Sequence, residues 1–284
     1  MSQPQLQIRE LAAWGFDPRT DHASIAYEEL QDRARKARRR LELRETYRVE
    51  SPISIVESQS LAGELAHRVE AIAASGEFDG LAWQLAVVDL RKLIAFQRQI
   101  RFADDGCFQI EPKTTWQHLL DLALPVARPQ PRYTFSSAPD GRSISIRSLC
   151  PSLTIQFADQ IKSSLDSVQL VARTGSPYFE VASYRGRWFL RDGYHRSFLL
   201  LKQGICHVPA VVVRAETLTE LGAVGQKFFT EEVLFSHRPP MVTDFLDEEM
   251  VACFLGPCQE KVTQISIQEL WEPVQAGYPE REVL

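Results

Sequence analysis

Between residues 192 and 197 the chain reads Asp-Gly-Tyr-His-Arg-Ser, a set of residue types suited to holding an anion. Gly193 stands where a stretch of strand character gives way to one of helix character. A chain that enters a helix at that point leaves its first backbone N–H groups unpaired, and the helix dipole adds positive potential there. Having no side chain, Gly193 lets the backbone come close to a ligand. Arg196 offers a fork of donors matched to phosphate oxygens and His195 a further donor. With Tyr194 and Ser197 these residues form a candidate ligand-binding turn, and phosphate is its natural ligand. The same residues also admit a structural arrangement, in which Asp192 caps the helix, Arg196 pairs with Asp192 and His195 is partly buried. Local features leave both arrangements open.

The neighbouring sequence supplies the elements that would position this turn. Tyr178 to Ala182 and Arg187 to Leu190 read as a hairpin across Tyr184-Arg185-Gly186. Tyr194 to Gln203 reads as a short helix closed by Gly204, with Leu199 expected in its buried run, and Val208 to Val213 as a buried strand. Upstream, Leu85 to Leu90 reads as a strand and Phe157 to Val171 as a helix. Arg132 to Phe135 and Ser143 to Ile146 flank Pro139-Asp140-Gly141 as a second hairpin. Two helices are expected in the N-terminal region, Ala23 to Tyr47 and Ser58 or Ser60 to Ala74. Beyond Arg214 the pattern turns helical and polar before a last strand, Val262 to Ile267. The expected fold class is therefore α+β, a mixed sheet with packed helices. Its parts are a helical N-terminal extension over residues 1–82, a core over 83–214 containing an inserted hairpin, and a C-terminal accessory segment over 215–284.

Composition narrows the function classes. Hydrophobic residues at 44% and charged residues at 24% are ordinary for a globular chain. Lysine and arginine total 32 against 37 acidic residues, a net charge of -5, so no global positive field draws in a polyanion and nucleic-acid binding would rest on a local patch. The opening residues lack the basic start and apolar run of a secretory signal, and no stretch reaches the roughly 18 apolar residues of a membrane span. No membrane association and a cytoplasmic location are expected. The five cysteines, Cys107, Cys150, Cys206, Cys253 and Cys258, contain no CxxC pair, which speaks for reduced structural thiols over zinc or disulfides.

Several other groupings have a bland reading beside a functional one. The arginines and Lys36 between Arg33 and Arg44 can meet phosphates, but interleaved acidic residues at i,i+4 spacing favour a solvated helix face. Cys206 and His207 can suggest a nucleophile and base, yet adjacent residues of a strand point to opposite faces. Trp83, Trp116, Trp188 and Trp271 can stack bases but more often build core. His237-Arg238 before Pro239-Pro240 reads as an exposed turn.

From Phe179 to Val213 the sequence FEVASYRGRWFLRDGYHRSFLLLKQGICHVPAVVV resembles the central segment of the ParB/sulfiredoxin superfamily: a hairpin ending in a G-x-[HR]-R turn, an apolar helix, a glycine and a V-P strand. The resemblance implies a ParB/sulfiredoxin-like core from about Trp83 to Arg214. It implies that Gly193, His195 and Arg196 bind the phosphates of a nucleotide or a phosphorylated small molecule. Sulfiredoxins carry a reactive cysteine where this chain has Tyr194, so cysteine chemistry is not expected. The Asp-Gly-x-His-Arg form is nearer the ParB-like nuclease and free-serine-kinase branches, which makes Asp192 the candidate catalytic residue, in contact with Mg2+ or a substrate hydroxyl. The activities implied are those of a ParB-like nuclease, an NTPase or a small-molecule kinase. The alternative is a non-catalytic DNA-associated or protein-interaction module that keeps the fold. No helix-turn-helix region follows the core, which speaks against a role in chromosome partition, and Glu231-Glu232-Val233-Leu234 only faintly echoes the family's downstream metal-supporting segment.

Overall fold

A computed structural model describes residues 5–102, 114–127, 132–150, 153–157, 170–225 and 227–271. The chain divides into two compact units, Met1–Arg128 with Ser176–Cys258, and Pro129–Gly175 with Gln259–Leu284. In chain order the strands are β1 (Gln5–Leu11), β2 (Ala82–Asp89), β3 (Ile94–Ala95), β4 (Gln99–Phe102), β5 (Thr134–Ser137), β6 (Ser143–Ser148), β7 (Thr154–Phe157), β8 (Leu170–Arg173), β9 (Glu180–Tyr184), β10 (Arg187–Asp192), β11 (His207–Arg214), β12 (Val251–Pro257) and β13 (Lys261–Ser266). The helices are α1 (Tyr27–Leu43), α2 (Ile55–Ser60), α3 (Ala62–Ala74), α4 (Trp116–Ala123), α5 (Tyr194–Lys202), α6 (Leu218–Leu221) and α7 (Glu231–Leu234).

The larger unit is organised by a mixed sheet of order β2-β11-β9-β10-β3. β11 runs antiparallel to β2 and parallel to β9, and β10 runs antiparallel to β9 and parallel to β3. The unbroken apolar run of β11 is what a strand covered on both faces requires, and Val208, Ala210, Val211 and Val213 are fully buried. β9 and β10 meet in a two-residue turn whose Arg185 and Gly186 both have positive φ, 47° and 75°. That mirror-image turn matches the right-handed twist of the strands it joins. α5 ends as expected: Gly204, at φ 77°, donates to Leu201 O and Ile205 N donates to Leu200 O. Within this helix Leu200 is the fully buried leucine, whereas Leu199 is only half-buried.

The N-terminal region departs from the all-helical expectation. β1 is the middle strand of a sheet of order β12-β1-β4, paired antiparallel to both neighbours. Its partners lie far away in sequence, so local periodicity carries no trace of the pairing. α1 is shorter than the expected Ala23 to Tyr47. Its solvated face is seen in the i,i+4 pairs Glu29–Arg33 and Asp32–Lys36, while Arg40 and Arg44 reach Asp247 and Asp244. The single helix expected to Ala74 is two helices meeting at Leu61, the C-cap of α2 and N-cap of α3. Beyond Arg214 the polar helices are short, and β12, which gave no strand expectation, completes the second sheet. Among the described residues no helix is long and apolar enough to cross a membrane.

In the smaller unit β5 and β6 form the expected hairpin, with β13 adding antiparallel to β6. The expected helix from Phe157 to Val171 is overturned at its two ends. Phe157 closes β7, and Leu170 and Val171 lie in β8, its antiparallel partner. β-branched and apolar residues spaced at three to four positions satisfy a helical stripe and a strand equally over so short a stretch. Residues 158–169, and with them the middle of that expected helix, lie outside the described residues, as does Cys107.

One carboxylate shows how a strand end of the main sheet is locked. Asp89 closes β2, and its Oδ1 accepts from the backbone N–H and Nε of Arg91 at 3.0 and 2.9 Å. Oδ2 accepts from Arg91 Nη2 at 2.8 Å and lies 3.9 Å from His207 Nε2 across the pair of strands. Burial pushes this carboxyl up, but the hydrogen bonds and charge of Arg91 outweigh that and hold it below the usual carboxylate range. A depressed folded pKa contributes stability above the unfolded value of about 3.9 that is lost as pH falls through the folded one. Asp89→Asn is therefore expected to be less stable than wild type at pH 7 by about 1 to 3 kcal/mol. Urea melts from pH 7 to pH 3 should show the gap closing below about pH 4; a gap that does not change with pH would refute the linkage.

Candidate functional site

The turn that drew attention in the sequence sits at the carboxyl end of β10. A register shift between Leu190 and Asp192 marks a bulge in which Arg191 is the extra residue. Gly193 follows at φ 104° and is the N-cap of α5, with no side chain capping the helix. A Cβ at this position would lie 2.8 Å from Cδ2 of Phe179, so glycine is required both by the backbone angle and by the ring packed against it. The strand, glycine and helix are thus arranged as the motif implies.

The side chains of the turn divide into those committed inward and those facing out. Tyr194 is buried, and its hydroxyl accepts from the N–H groups of Phe96 and Gln97 at 3.0 and 3.3 Å and donates to Leu190 O at 2.9 Å. Burial pushes its phenol up. Ser197 is fully buried and donates to Gly193 O at 2.9 Å. Arg196 is 8% exposed, and its Nη1 donates to Leu122 O and Pro177 O at 2.9 and 2.8 Å, its Nη2 to Tyr178 O at 2.8 Å. Its guanidinium also lies over the Phe179 ring, 5.4 Å from the centroid, and 3.5 Å from Asp192 Oδ1. Desolvation holds its pKa below the usual arginine value, against the charges of Asp192 and Glu180. The phosphate contact expected of Arg196 is therefore not what its donors do here, because three backbone carbonyls at the entry to β9 and the end of α4 take them. Tyr194 and Ser197 likewise act as internal braces.

Asp192 and His195 face outward. Asp192 keeps 49% of its side-chain surface in contact with solvent. Desolvation by its crowded neighbours raises its pKa, with Arg196, the Gly193 N–H, His195 and Arg191 opposing. His195 is half-buried, places Nε2 2.6 Å from Arg101 O and packs edge-on to Phe102. Two residues that sequence reasoning passed over join this group. Glu180, 3% exposed, lies opposite Asp192 in the adjoining strand and accepts from Arg191 Nη1 at 2.6 Å. Desolvation pushes its carboxyl up, and Arg191 and Ser176 offset only part of that. The sequence carries no signal for this pairing, because it depends on the bulge that shifts the register of β10 against β9. Two carboxyls with raised pKa beside two arginines at a helix N-terminus form a cluster of the kind found at functional sites.

The other groupings stay apart from this turn. A cavity of about 280 Å³ is lined by Cys206 and His207 with Trp116, Leu119, Ile205 and Thr114. Cys206 donates its thiol to Gly204 O at 3.6 Å, and the His207 imidazole faces Asp89. A second cavity, of about 320 Å³, lies between Asp21–Ser24 and Leu255–Pro257. Trp83, Trp116 and Trp188 pack against the core, whereas Trp271 is fully exposed. Arg238 donates to Arg44 O at 2.6 Å. Among the described residues no three His, Cys, Asp or Glu side chains are grouped to hold a metal ion. No family model, no curated protein and no solved structure matches the chain.

Removal of the inward braces is expected to act on folding. Gly193→Ala should cost about 2 to 5 kcal/mol from ring overlap and backbone strain. Arg196→Met, which orphans three carbonyls and leaves Asp192 without its partner, should cost about 3 to 5 kcal/mol. His195→Ala should cost only about 1 kcal/mol. Denaturant melts of the three variants check the order; an Arg196→Met protein as stable as wild type would contradict the bracing role.

Proposed function

We propose that this protein binds a nucleotide or a phosphorylated small molecule at the turn joining β10 to α5, and that its reaction, where it turns the ligand over, is phosphoryl transfer or phosphoester hydrolysis. The observation that carries the reading is the helix start at Gly193, which has no side-chain cap and stands beside the half-exposed Asp192 carboxylate. The first N–H groups of α5 are suited to phosphate oxygens. Phosphoryl transfer asks a protein mainly for positioning and for charges that offset those of the phosphates. The resemblance of the Asp192 to Ser197 stretch to the ParB/sulfiredoxin superfamily supports the same assignment and supplies the nucleotide as the ligand class.

Mg2+ is compatible with this donor set. It is commonly held by one or two carboxylates together with waters and the phosphates themselves, and so needs no three-residue cluster of protein ligands. Asp192 is the carboxylate that would hold it, and the ion would supply charge to the bound phosphates. His195 would donate to a phosphate oxygen after exchanging its bond to Arg101 O. Arg196 acts behind this surface by holding α5 against β9.

A second reading is a non-catalytic DNA-associated or protein-interaction module retaining the fold. One observation favours it: Arg196, the residue the motif assigns to phosphate, has its donors committed inside the protein.

A thermal-shift panel of ATP, ADP, CTP, GTP and inorganic pyrophosphate, with and without Mg2+, tests the first reading, because a ligand that binds only the folded state raises the melting temperature. Stabilisation by a member of the panel, lost in Asp192→Asn when Mg2+ is present, is the expected result. No shift with any of them would turn the assignment to the second reading. Binding without phosphate release or transfer would keep the site and remove the reaction.

A further inference from the structure

We propose that Arg191, held by the buried carboxylate of Glu180, is the side chain that meets the negative charge of the ligand at the Asp192 turn. This inference rests on the phosphate reading of that turn and names a contact that the motif does not contain. In a regular strand Arg191 and Asp192 would face opposite sides of the sheet. The bulge between Leu190 and Asp192 breaks that alternation. Glu180 is the cross-strand partner of Asp192, and Arg191 Nη1 reaches Glu180 Oε2 at 2.6 Å, which brings the guanidinium to the side on which both carboxylates lie. Bulges of this kind re-aim side chains near functional sites.

The two arginines at the turn differ in what they have left to offer. Arg196 has donors on three carbonyls and 10% of its side chain exposed. Arg191 keeps 22% of its side chain exposed and, among the described residues, uses Nη1 alone. Nε and Nη2 remain for a ligand, and a guanidinium offering two parallel donors suits phosphate. Gly222, at φ 81°, passes alongside: a Cβ there would stand 3.6 Å from Arg191 Nε.

Glu180 is the more telling residue. Burying a carboxylate is costly, and a buried ion pair gives little stability that an apolar pair would not give. What the pair does provide is a fixed direction for the guanidinium, next to Asp192 and the open helix start. Glu180 is therefore a positioning residue acting through Arg191.

Calorimetric titration of the full-length protein with inorganic pyrophosphate and with ATP, each in Mg2+, tests this. Wild type is expected to bind, and Arg191→Gln, which melts below wild type because Glu180 loses its partner, to bind about tenfold more weakly or worse per folded molecule. Equal binding by wild type and Arg191→Gln overturns this inference and leaves the phosphate reading standing; no binding by wild type overturns both. Should Arg191→Gln fail to fold, Arg191→Lys keeps the charge and the partner of Glu180 but removes the fork, and a loss of about threefold or more is expected. No loss in that variant overturns the inference. Glu180→Gln should weaken pyrophosphate binding in the wild-type background and add nothing in Arg191→Gln; equal losses in the two backgrounds would remove the positioning role.

Discussion

A single buried guanidinium, that of Arg196, ties together the three elements on which the candidate site is built. From the first turn of α5 it donates to Leu122 O at the end of α4 and to Pro177 O and Tyr178 O at the entry to β9. Carbonyls at such junctions lie outside the regular ladder and would be left without donors if the arginine were absent. The same contacts hold the Phe179 ring between the guanidinium and Gly193, which in turn excludes any side chain at 193. Tyr194 extends the brace to the other side by joining Phe96 and Gln97, just after β3, to Leu190. The helix start is therefore fixed in position by the fold itself, which is the preorganisation that a site built on backbone N–H groups would need.

The consequence is a division of labour within one short motif. Residues at 194, 196 and 197 face the core and build the turn, and those at 192 and 195 face out from it. A residue-type argument cannot make that division, because arginine serves equally as a phosphate ligand and as a clamp for carbonyls. The deciding information is which carbonyls lie unpaired nearby, and those belong to residues 74 and 18 to 19 positions away in sequence.

The elements most legible in the sequence were those set by local chemistry. The β9–β10 hairpin rests on Arg185-Gly186, the end of α5 on Gly204, and β11 on its run of valines. The β5–β6 hairpin was readable from Pro139-Asp140-Gly141 in the same way. The elements that were missed depend on distant partners. β1 is a strand because Ile8, Arg9 and Glu10 find β12 on one side and β4 on the other, and a seven-residue segment with Arg9 and Glu10 in it does not announce burial. Those two side chains are accommodated by specific partners: Arg9 donates to Phe245 O and Glu248, and Glu10 accepts from Asp17 N–H and faces His22. At the site itself, the order of strand, glycine and helix was legible, whereas the roles of Glu180 and Arg191 were not, since a bulge is a property of pairing and leaves no mark of its own in the bulged strand.

The connection between α4 and β9 is anchored in the same region. The chain leaves the larger unit after Arg128 and returns at Ser176, and the elements on either side are already joined, with Phe179 N–H donating to Ala123 O at 2.7 Å. The residues flanking that connection are therefore held in contact by the core. Lengthening a connection whose ends are so fixed adds only a slowly growing closure entropy, about 0.6 kcal/mol for each doubling of its length. It leaves the register of β9 untouched, because Phe179 is also bonded through its carbonyl to Val211 N–H at 2.8 Å. Phe179 is thus a backbone link between α4 and β11 and, through its ring, the surface that demands glycine at 193.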